Sequence, residues 1–510
     1  TLTGFTYAAT AFSSRLTTEA DLQGIAADIL VGNDTLNGYS GDDFFKGFAG
    51  NDTINGGGGL DTVRYSGPFH SGSIAISLGA ISTIAGNGTA GIDTLTSVEA
   101  FVGSNSNAGD TYVVDGNFSG SFGTFNMFEG RGGNDAITGN GNTWLSFAES
   151  SGGVVVDLVA GTAVGNATVG TDTFTGVISV LGSQSADTFT GDGNANVFIG
   201  QGGGDAYNGA GGNDFASYET SATAVTADLA TPANNTGEAI GDTFVSIEGL
   251  IGSGFGDSLR GDGGANTLRG GGGNDFLMGR AGADTLDGGE GSDFADYAGA
   301  AAGVLVNLAN AAANTGDATG DTFISIESIR GSNQNDTLIG DGENNLLRGG
   351  LGADSLNGGA GTDLADYGGS AVGVVASLGN PGANTGEAVG DTYTLIEGLR
   401  GSAQNDTLIG DGGNNSLRAG LGADSLDGGD GQDFADYRNA TTPLLVSLAN
   451  AALNTGEAAG DSYVSIEHLV GGNFNDTLIG DGQNNLLRGG LGLDSLDGGD
   501  GTDFADYRQA

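Results

Sequence analysis

The stretch Gly32-Asn33-Asp34-Thr35-Leu36 starts a nine-residue beat, and that beat decides the fold. The same order of glycine turn, aspartate, any residue and large apolar residue returns at Asp43, Asp52 and Asp61. Phe45, Ile54 and Val63 follow Leu36 as its apolar members. With the aspartate as position six, the beat reads G-G-x-G-x-D-x-U-x, where U is large and apolar. Further blocks place position six at Asp187, Asn196, Asp205 and Asp214, and at Asp257, Asn266, Asp275, Asp284 and Asp293. The last three run Asp336, Asn345, Asp354, Asp363; Asp406, Asn415, Asp424, Asp433; and Asp476, Asn485, Asp494, Asp503. A degenerate block around Asp110 and Asp135 loses the beat near Trp144.

A longer period lies over the short one. Tyr297, Tyr367, Tyr437 and Tyr507 recur at a constant step of seventy, and the step from Tyr218 to Tyr297 is longer by nine. The excess is one nonapeptide, about Gly270 to Met278. Stacked repeats tolerate insertion of a whole unit, because neighbours restack on an equivalent surface. These periods divide the chain into an N-terminal segment (1–30), a first block (31–66) and a spacer with the degenerate block (67–147). A spacer with a four-repeat block (148–218), a spacer with the five-repeat block (219–297) and three units (298–367, 368–437, 438–510) follow. Thr18-Glu19-Ala20-Asp21 predicts the cap of a short helix whose apolar face holds Leu22, Ile25 and Ile29. Spacers such as Gly303 to Glu327 predict two short strands around a loop. Glu248, Glu327, Glu397 and Glu467 each stand nine positions before a position-six aspartate. They are either exposed spacer residues or the start of a continuing coil.

Composition narrows the class. There are 103 glycines but only 4 prolines in 510 residues, which excludes collagen. Disordered glycine linkers lack regular apolar positions, whereas here 37% of residues are hydrophobic and recur on the beat. Glycine therefore serves repeated tight turns that need φ > 0. A net charge of −49 excludes a nucleic-acid partner, which needs a basic surface. Without cysteine there is neither a disulfide scaffold nor a cysteine zinc site. No apolar run approaches the ~20 residues of a membrane span. The chain begins at Thr1 without a signal peptide, so it is trimmed or exported by a route that needs none.

The beat dictates an all-β architecture, a parallel β-roll or β-solenoid. In D-x-U-x a three-residue strand turns its central apolar side chain inward, and the six preceding residues make the turn. Two nonapeptides give one coil of about 18 residues, with successive coils stacked at roughly 4.8 Å. Each position-six carboxylate then lies over its counterpart two repeats away. At ~5 Å such a pair costs about 3 kcal/mol at an effective dielectric near 20. Summed along the roll, this exceeds a folding stability of ~5–15 kcal/mol. A divalent cation between turns reverses the sign. Calcium suits the donors, since it takes six to eight hard oxygens, backbone carbonyls included, whereas magnesium demands a tighter octahedron. Zinc and copper want His or Cys, and the chain has only His70 and His468. The candidate ligands of several calcium ions are all the position-six aspartates named above. Asn196, Asn266, Asn345, Asn415 and Asn485 join them through an amide oxygen. Asp192, Asp262, Asp341, Asp411 and Asp481, four positions before these asparagines, would partly replace the lost charge. In the other reading those turns are empty and only pack.

More than twenty copies in one register make the signal specific. Roughly residues 31–66 and 100–510 resemble the repeats-in-toxin (RTX), or hemolysin-type calcium-binding, family. The resemblance implies a parallel β-roll, calcium in the turns and type I secretion in an unfolded state. The long unit also looks like that of large repeat-rich bacterial surface proteins. Two features depart from the pattern. Copies such as Gly331-Ser332-Asn333-Gln334-Asn335-Asp336 lack the double glycine, so their sites are expected to be weaker or vacant. The sequence also ends at Ala510 without a flanking domain or a recognisable secretion signal, as a truncated chain would.

Catalysis is not expected. There is no H-E-x-x-H, no G-x-S-x-G and no repeat-free stretch of ~200 residues. His468 stands where other copies have Gly249, Ser328 and Gly398 and is expected as a surface substitution; the periodic tyrosines are expected to pack at block ends. The expected role is a secreted structural protein of the bacterial exterior, such as a surface-layer, adhesin or filament subunit. Its expected partners are copies of itself, meeting at uncapped end coils, and a cell-surface polysaccharide. The alternative is a noncatalytic calcium module of a larger secreted enzyme or toxin.

Overall fold

A computed structural model describes residues 33–46, 50–65, 73–79, 82–86, 92–105 and 109–508. The helix expected near residues 18–29, and His70, lie outside the described residues. Among the described residues there is no α-helix, and most strands are three residues long. Thr337–Ile339 and Ser355–Asn357 pair in parallel, with Thr337 opposite Ser355. Leu346–Arg348 and Leu364–Asp366 pair in the same way on the opposite wall, with Leu346 opposite Leu364. Consecutive nonapeptides therefore alternate between two walls, and two of them close a coil. The central residue of each strand points inward: Leu338, Leu347 and Leu356 are buried. Each such leucine contributes roughly 1.5–3 kcal/mol by leaving water. The fold is the parallel β-roll that the beat predicts.

Glycine is demanded at particular turn positions. Gly350 and Gly352 adopt φ of 95° and 140°. A Cβ on Gly350 would lie 2.2 Å from the Ser332 carbonyl oxygen of the previous coil. Coil stacking and side chains at that position are therefore incompatible.

The chain forms two compact units, Thr1–Phe255 and Gly256–Ala510. The first departs from the roll twice, through antiparallel excursions at Ile74–Leu78, Ser82–Gly86 and Ile92–Thr96, and at Val155–Asp157, Thr162–Val164 and Thr171–Leu181. Its long strands Ala136–Ser146 and Thr171–Leu181 pair in parallel with register shifts between Thr138 and Trp144. This is where the sequence loses its beat.

In the second unit the spacers supply the two expected strands. Leu305–Asn307 and Thr322–Ile324 flank the 3-10 turns Ala311–Ala313 and Gly316–Ala318. Leu305–Asn307 pairs with the later strand Thr337–Ile339, and Thr322–Ile324 pairs with the earlier Thr285–Asp287. Ser328–Arg330, directly after Glu327, pairs with both Phe294–Asp296 and Leu346–Arg348. The glutamates thus belong to a coil that continues through the spacer.

Candidate metal centre

Position six closes the glycine turn and opens the strand, so its side chain stands at the edge of the roll. Its two carboxylate oxygens behave differently. Oδ1 reaches back one coil and accepts a backbone N–H. Asp354 accepts from Asp336 at 2.9 Å, Asp424 from Asp406 at 2.7 Å and Asp494 from Asp476 at 2.9 Å. The bond recurs from Asp34 to Asp52, Asp43 to Asp61, Asp110 to Asp135, Asp187 to Asp205, Asp257 to Asp275 and Asp275 to Asp293. Asn196, Asn266, Asn345, Asn415 and Asn485 likewise donate their N–H to Asp214, Asp284, Asp363, Asp433 and Asp503. The column is therefore not a stack of bare charges, because half of each carboxylate is held by an amide.

The second oxygen separates the aspartates into kinds. At Asp34, Asp61, Asp135, Asp214, Asp275, Asp284, Asp293, Asp354, Asp363, Asp424 and Asp433, Oδ2 is buried without a hydrogen-bond partner. A buried oxygen left so is costly, more so when charged. Except at Asp34 and Asp424, each lies against a glycine of its own turn; at Asp424 the residue in that place is Ala419. A Cβ on Gly349 would sit 2.1 Å from Oδ2 of Asp354, and one on Gly279 2.2 Å from that of Asp284. Backbone oxygens share this space. A Cβ on Gly358 would lie 2.1 Å from the Leu395 carbonyl and 2.5 Å from Asp363 Oδ2; one on Gly428 would meet the Ser465 carbonyl and Asp433 Oδ2 at the same distances. Leu395 and Ser465 hold φ of 50° and 49°, an uncommon conformation for residues other than glycine. Among the described residues no three acidic or histidine side chains converge. The donors on offer are thus single carboxylates with backbone carbonyls. That set of hard oxygens fits calcium.

At Asp187, Asp336 and Asp406 a serine fills the gap. The N–H groups of Ser183, Ser332 and Ser402 donate to Oδ2 at 2.6, 2.6 and 2.5 Å, and their hydroxyls to Oδ1 at 3.0, 3.1 and 3.1 Å. These are turns that lack the double glycine, and their carboxylates are satisfied within the chain. At Asp476 the N–H of Gly472 donates at 2.7 Å. The asparagines are engaged at both ends. Asn345 Oδ1 accepts from Asp341 N–H at 2.8 Å, and its amide donates to the Glu327 carbonyl at 3.3 Å. The Asp341 carboxylate folds onto its own turn, accepting from Glu343 N–H at 2.9 Å.

Sequence reasoning missed a third group. Asp93, Asp172, Asp242, Asp321, Asp391 and Asp461 accept the N–H groups of Asp52, Asp135, Asp205, Asp284, Asp354 and Asp424 at 2.8–2.9 Å, in the manner of position six. Their signal was present, since Asp321-Thr322-Phe323 and Asp461-Ser462-Tyr463 repeat D-x-U. It was hidden because a whole spacer separates each from its partner, where the beat requires two nonapeptides. Glu248, Glu327, Glu397 and Glu467 serve the other column, where Oε2 accepts from Asp214, Asp293, Asp363 and Asp433 at 2.9–3.0 Å. Two expectations need correction. The periodic tyrosines do more than pack: the hydroxyls of Tyr218, Tyr297, Tyr367 and Tyr437 donate to Asp242, Asp321, Asp391 and Asp461. His468 is not a surface residue. It is buried against Phe434, and its Nδ1 accepts the N–H of Leu486 at 3.1 Å.

Burial, and then neighbouring carboxylates, push Asp275, Asp354 and Asp424 up to about 7 and Asp135 up to about 8. Without a counter-ion these groups hold protons near neutrality.

The model of the RTX calcium-binding nonapeptide repeat matches residues 30–63, 181–216, 251–286, 260–295, 330–365, 400–435 and 470–505. The chain is an RTX-type repeat protein. RTX repeats bind calcium, and of the aspartates with an unpartnered oxygen all but Asp135 fall inside the matched RTX segments. The tyrosine-bonded Asp242, Asp321, Asp391 and Asp461 fall outside them. No curated protein matches the chain.

Proposed function

We propose that this RTX protein is a secreted structural component of the bacterial cell exterior, a surface-layer, adhesin or filament subunit, whose folding is coupled to calcium. The observation that carries the reading is the set of buried, unpartnered carboxylate oxygens, with Asp354, Asp363, Asp424 and Asp433 as its most regular members. Bound calcium supplies the positive charge these oxygens lack. The aspartates anchor one oxygen on the previous coil and present the other beside turn carbonyls. Glycines keep that space free of side chains at Asp354, Asp363 and Asp433, while at Asp424 only the methyl group of Ala419 stands there. Where free calcium is low, the carboxylates oppose closure of the roll and the chain stays exportable. At millimolar calcium outside the cell, binding free energy becomes folding free energy. An exterior location agrees with the family, whose members are typically secreted. Among the described residues no helix is long and apolar enough to cross a membrane.

Association of copies belongs to the same reading. Leu351, Leu421 and Leu491 recur once per long unit, at the turns, and are 56%, 54% and 52% exposed. Such a periodic apolar row supports lateral contact between rolls. Circular dichroism in calcium and after chelation tests the folding claim. Loss of the β signal on chelation is expected, and an unchanged spectrum overturns it. Light scattering at rising protein concentration in calcium is expected to report species larger than one chain.

A further inference from the structure

Asp424 and Asp461 are successive members of one column. Asp424 accepts Asp406 N–H at 2.7 Å, and Asp461 accepts Asp424 N–H at 2.9 Å, each through Oδ1. They differ in what meets the second oxygen. No hydrogen-bond donor of the protein meets that of Asp424. The Tyr437 hydroxyl donates to that of Asp461 at 2.6 Å. Tyr437 is 3% exposed, so its ring is buried. Behind it stands a second phenol: the Tyr463 hydroxyl lies 2.7 Å from that of Tyr437 and accepts from the Asn454 amide at 3.0 Å. A one-way relay of neutral donors thus ends on the carboxylate, from Asn454 through Tyr463 and Tyr437 to Asp461. The same relay runs from Asn384 through Tyr393 and Tyr367 to Asp391, at 3.0, 2.5 and 2.7 Å. At Asp321 a single phenol does the work, Tyr297 at 2.7 Å, and at Asp242 Tyr218 donates at 2.8 Å with the Tyr207 hydroxyl beside it; Phe323 and Phe244 stand in the second place. The turn differs too: Gly456–Ala458, just ahead of Asp461, is a 3-10 turn in place of a double-glycine loop.

We infer that at Asp242, Asp321, Asp391 and Asp461 the tyrosine hydroxyl occupies the place an ion takes at the open aspartates, so that each of these four residues is a metal-free stop in its column. The inference rests on the calcium reading given above. A hydroxyl–carboxylate bond of this length is charge-assisted and strong, and it satisfies the carboxylate without added charge. Burial holds Tyr437 well above the ordinary phenol range, so the donor keeps its proton. The tyrosine therefore closes these four aspartates, as a serine N–H closes Asp187, Asp336 and Asp406, although they share the backbone anchor of the open ones. A run of sites ends in the spacer that opens the next long unit, as the run through Asp424 ends at Asp461, and a new run begins beyond it. The stops let the roll lengthen by units without extending one uninterrupted column of charge.

The test counts calcium ions bound by the full chain in equilibrium dialysis with radioactive calcium. Asp424→Asn and Asp461→Asn are compared, since both keep an oxygen for the N–H of the previous coil. At position 461 the introduced amide can also donate to the phenol oxygen. Asp424→Asn is expected to lose one ion and Asp461→Asn none. Loss of an ion in Asp461→Asn overturns the inference alone, while a native chain that binds no calcium overturns the calcium reading beneath it. Should Asp461→Asn fail to give the native dichroism spectrum, Tyr437→Phe keeps the ring and removes only the hydroxyl. Its ion count is expected not to fall, and a fall overturns the inference by making the phenol part of a metal site.

Discussion

At each open column aspartate one oxygen is structural and the other is chemical. The anchored oxygen fixes where the carboxylate stands; the free one fixes what the turn can bind. Protonation provides a handle on this division. In the metal-free fold Asp275, Asp354 and Asp424 are pushed up to about 7, above the ordinary carboxylate value, because burial disfavours their charge. A folded state that binds more protons than the unfolded one gains stability from acid. The metal-stripped chain should therefore show most β structure near pH 4, where even unfolded carboxylates hold protons, and lose it as the pH rises through about 7. Dichroism across pH on dialysed protein checks this; structure that increases with pH contradicts it. At this scale the sequence was readable where ligand and motif coincide, as at Asp354 and Asp424. It was silent on the oxygen's partner. Ser332 lies one turn before Asp336 and could have been read as a cap, but Tyr437 and Asp461 are separated by most of a spacer, and only the stacked coils bring them together.

The strand and its turn were the most legible elements. The apolar residue two places after position six points inward throughout, because a three-residue strand leaves it no other face. The pairing of every second nonapeptide follows from that. The spacers were legible as two strands, but their effect on the stack was not. Leu305–Asn307 and Thr322–Ile324 bond to different neighbours on one wall, while the opposite wall runs on through Ser328–Arg330. Strand propensity carries no information about such a choice. Nor does it show that Arg348, Arg418 and Arg488 each pair with an aspartate two nonapeptides on, at Asp366, Asp436 and Asp506. The turns permit a sharp comparison. Gly420 holds φ of 97°, and a Cβ there would lie 2.2 Å from the Ser402 carbonyl, whereas a Cβ on Gly412 would meet nothing within 4 Å. Gly420→Ala should therefore cost about 1 kcal/mol or more, and Gly412→Ala no more than a few tenths. Denaturant unfolding in saturating calcium measures both; equal effects contradict the stacking described.

Across the molecule, periodicity carries both its length and its wiring. The extra nonapeptide between Tyr218 and Tyr297 changes which wall holds the asparagine. Asp257, Asp275 and Asp293 lead to Glu327, whereas Asn345 and Asp363 lead to Glu397. An odd number of nonapeptides exchanges the walls, and the roll tolerates this because both present the same backbone edge. Removing residues 368–437, one full unit, should likewise leave a chain that folds with calcium and binds fewer ions. Dichroism with dialysis counts checks this; a chain that no longer folds contradicts the modular account. The long period could be read directly from the tyrosines, but its division into open and closed sites could not, since that depends on groups one coil apart. The most direct test is an anomalous-scattering map from a crystal grown in calcium. Peaks beside the free oxygens of Asp354, Asp363, Asp424 and Asp433, with none beside Asp391 and Asp461, are the expected result. A well-ordered roll without peaks at the four open aspartates would contradict the account.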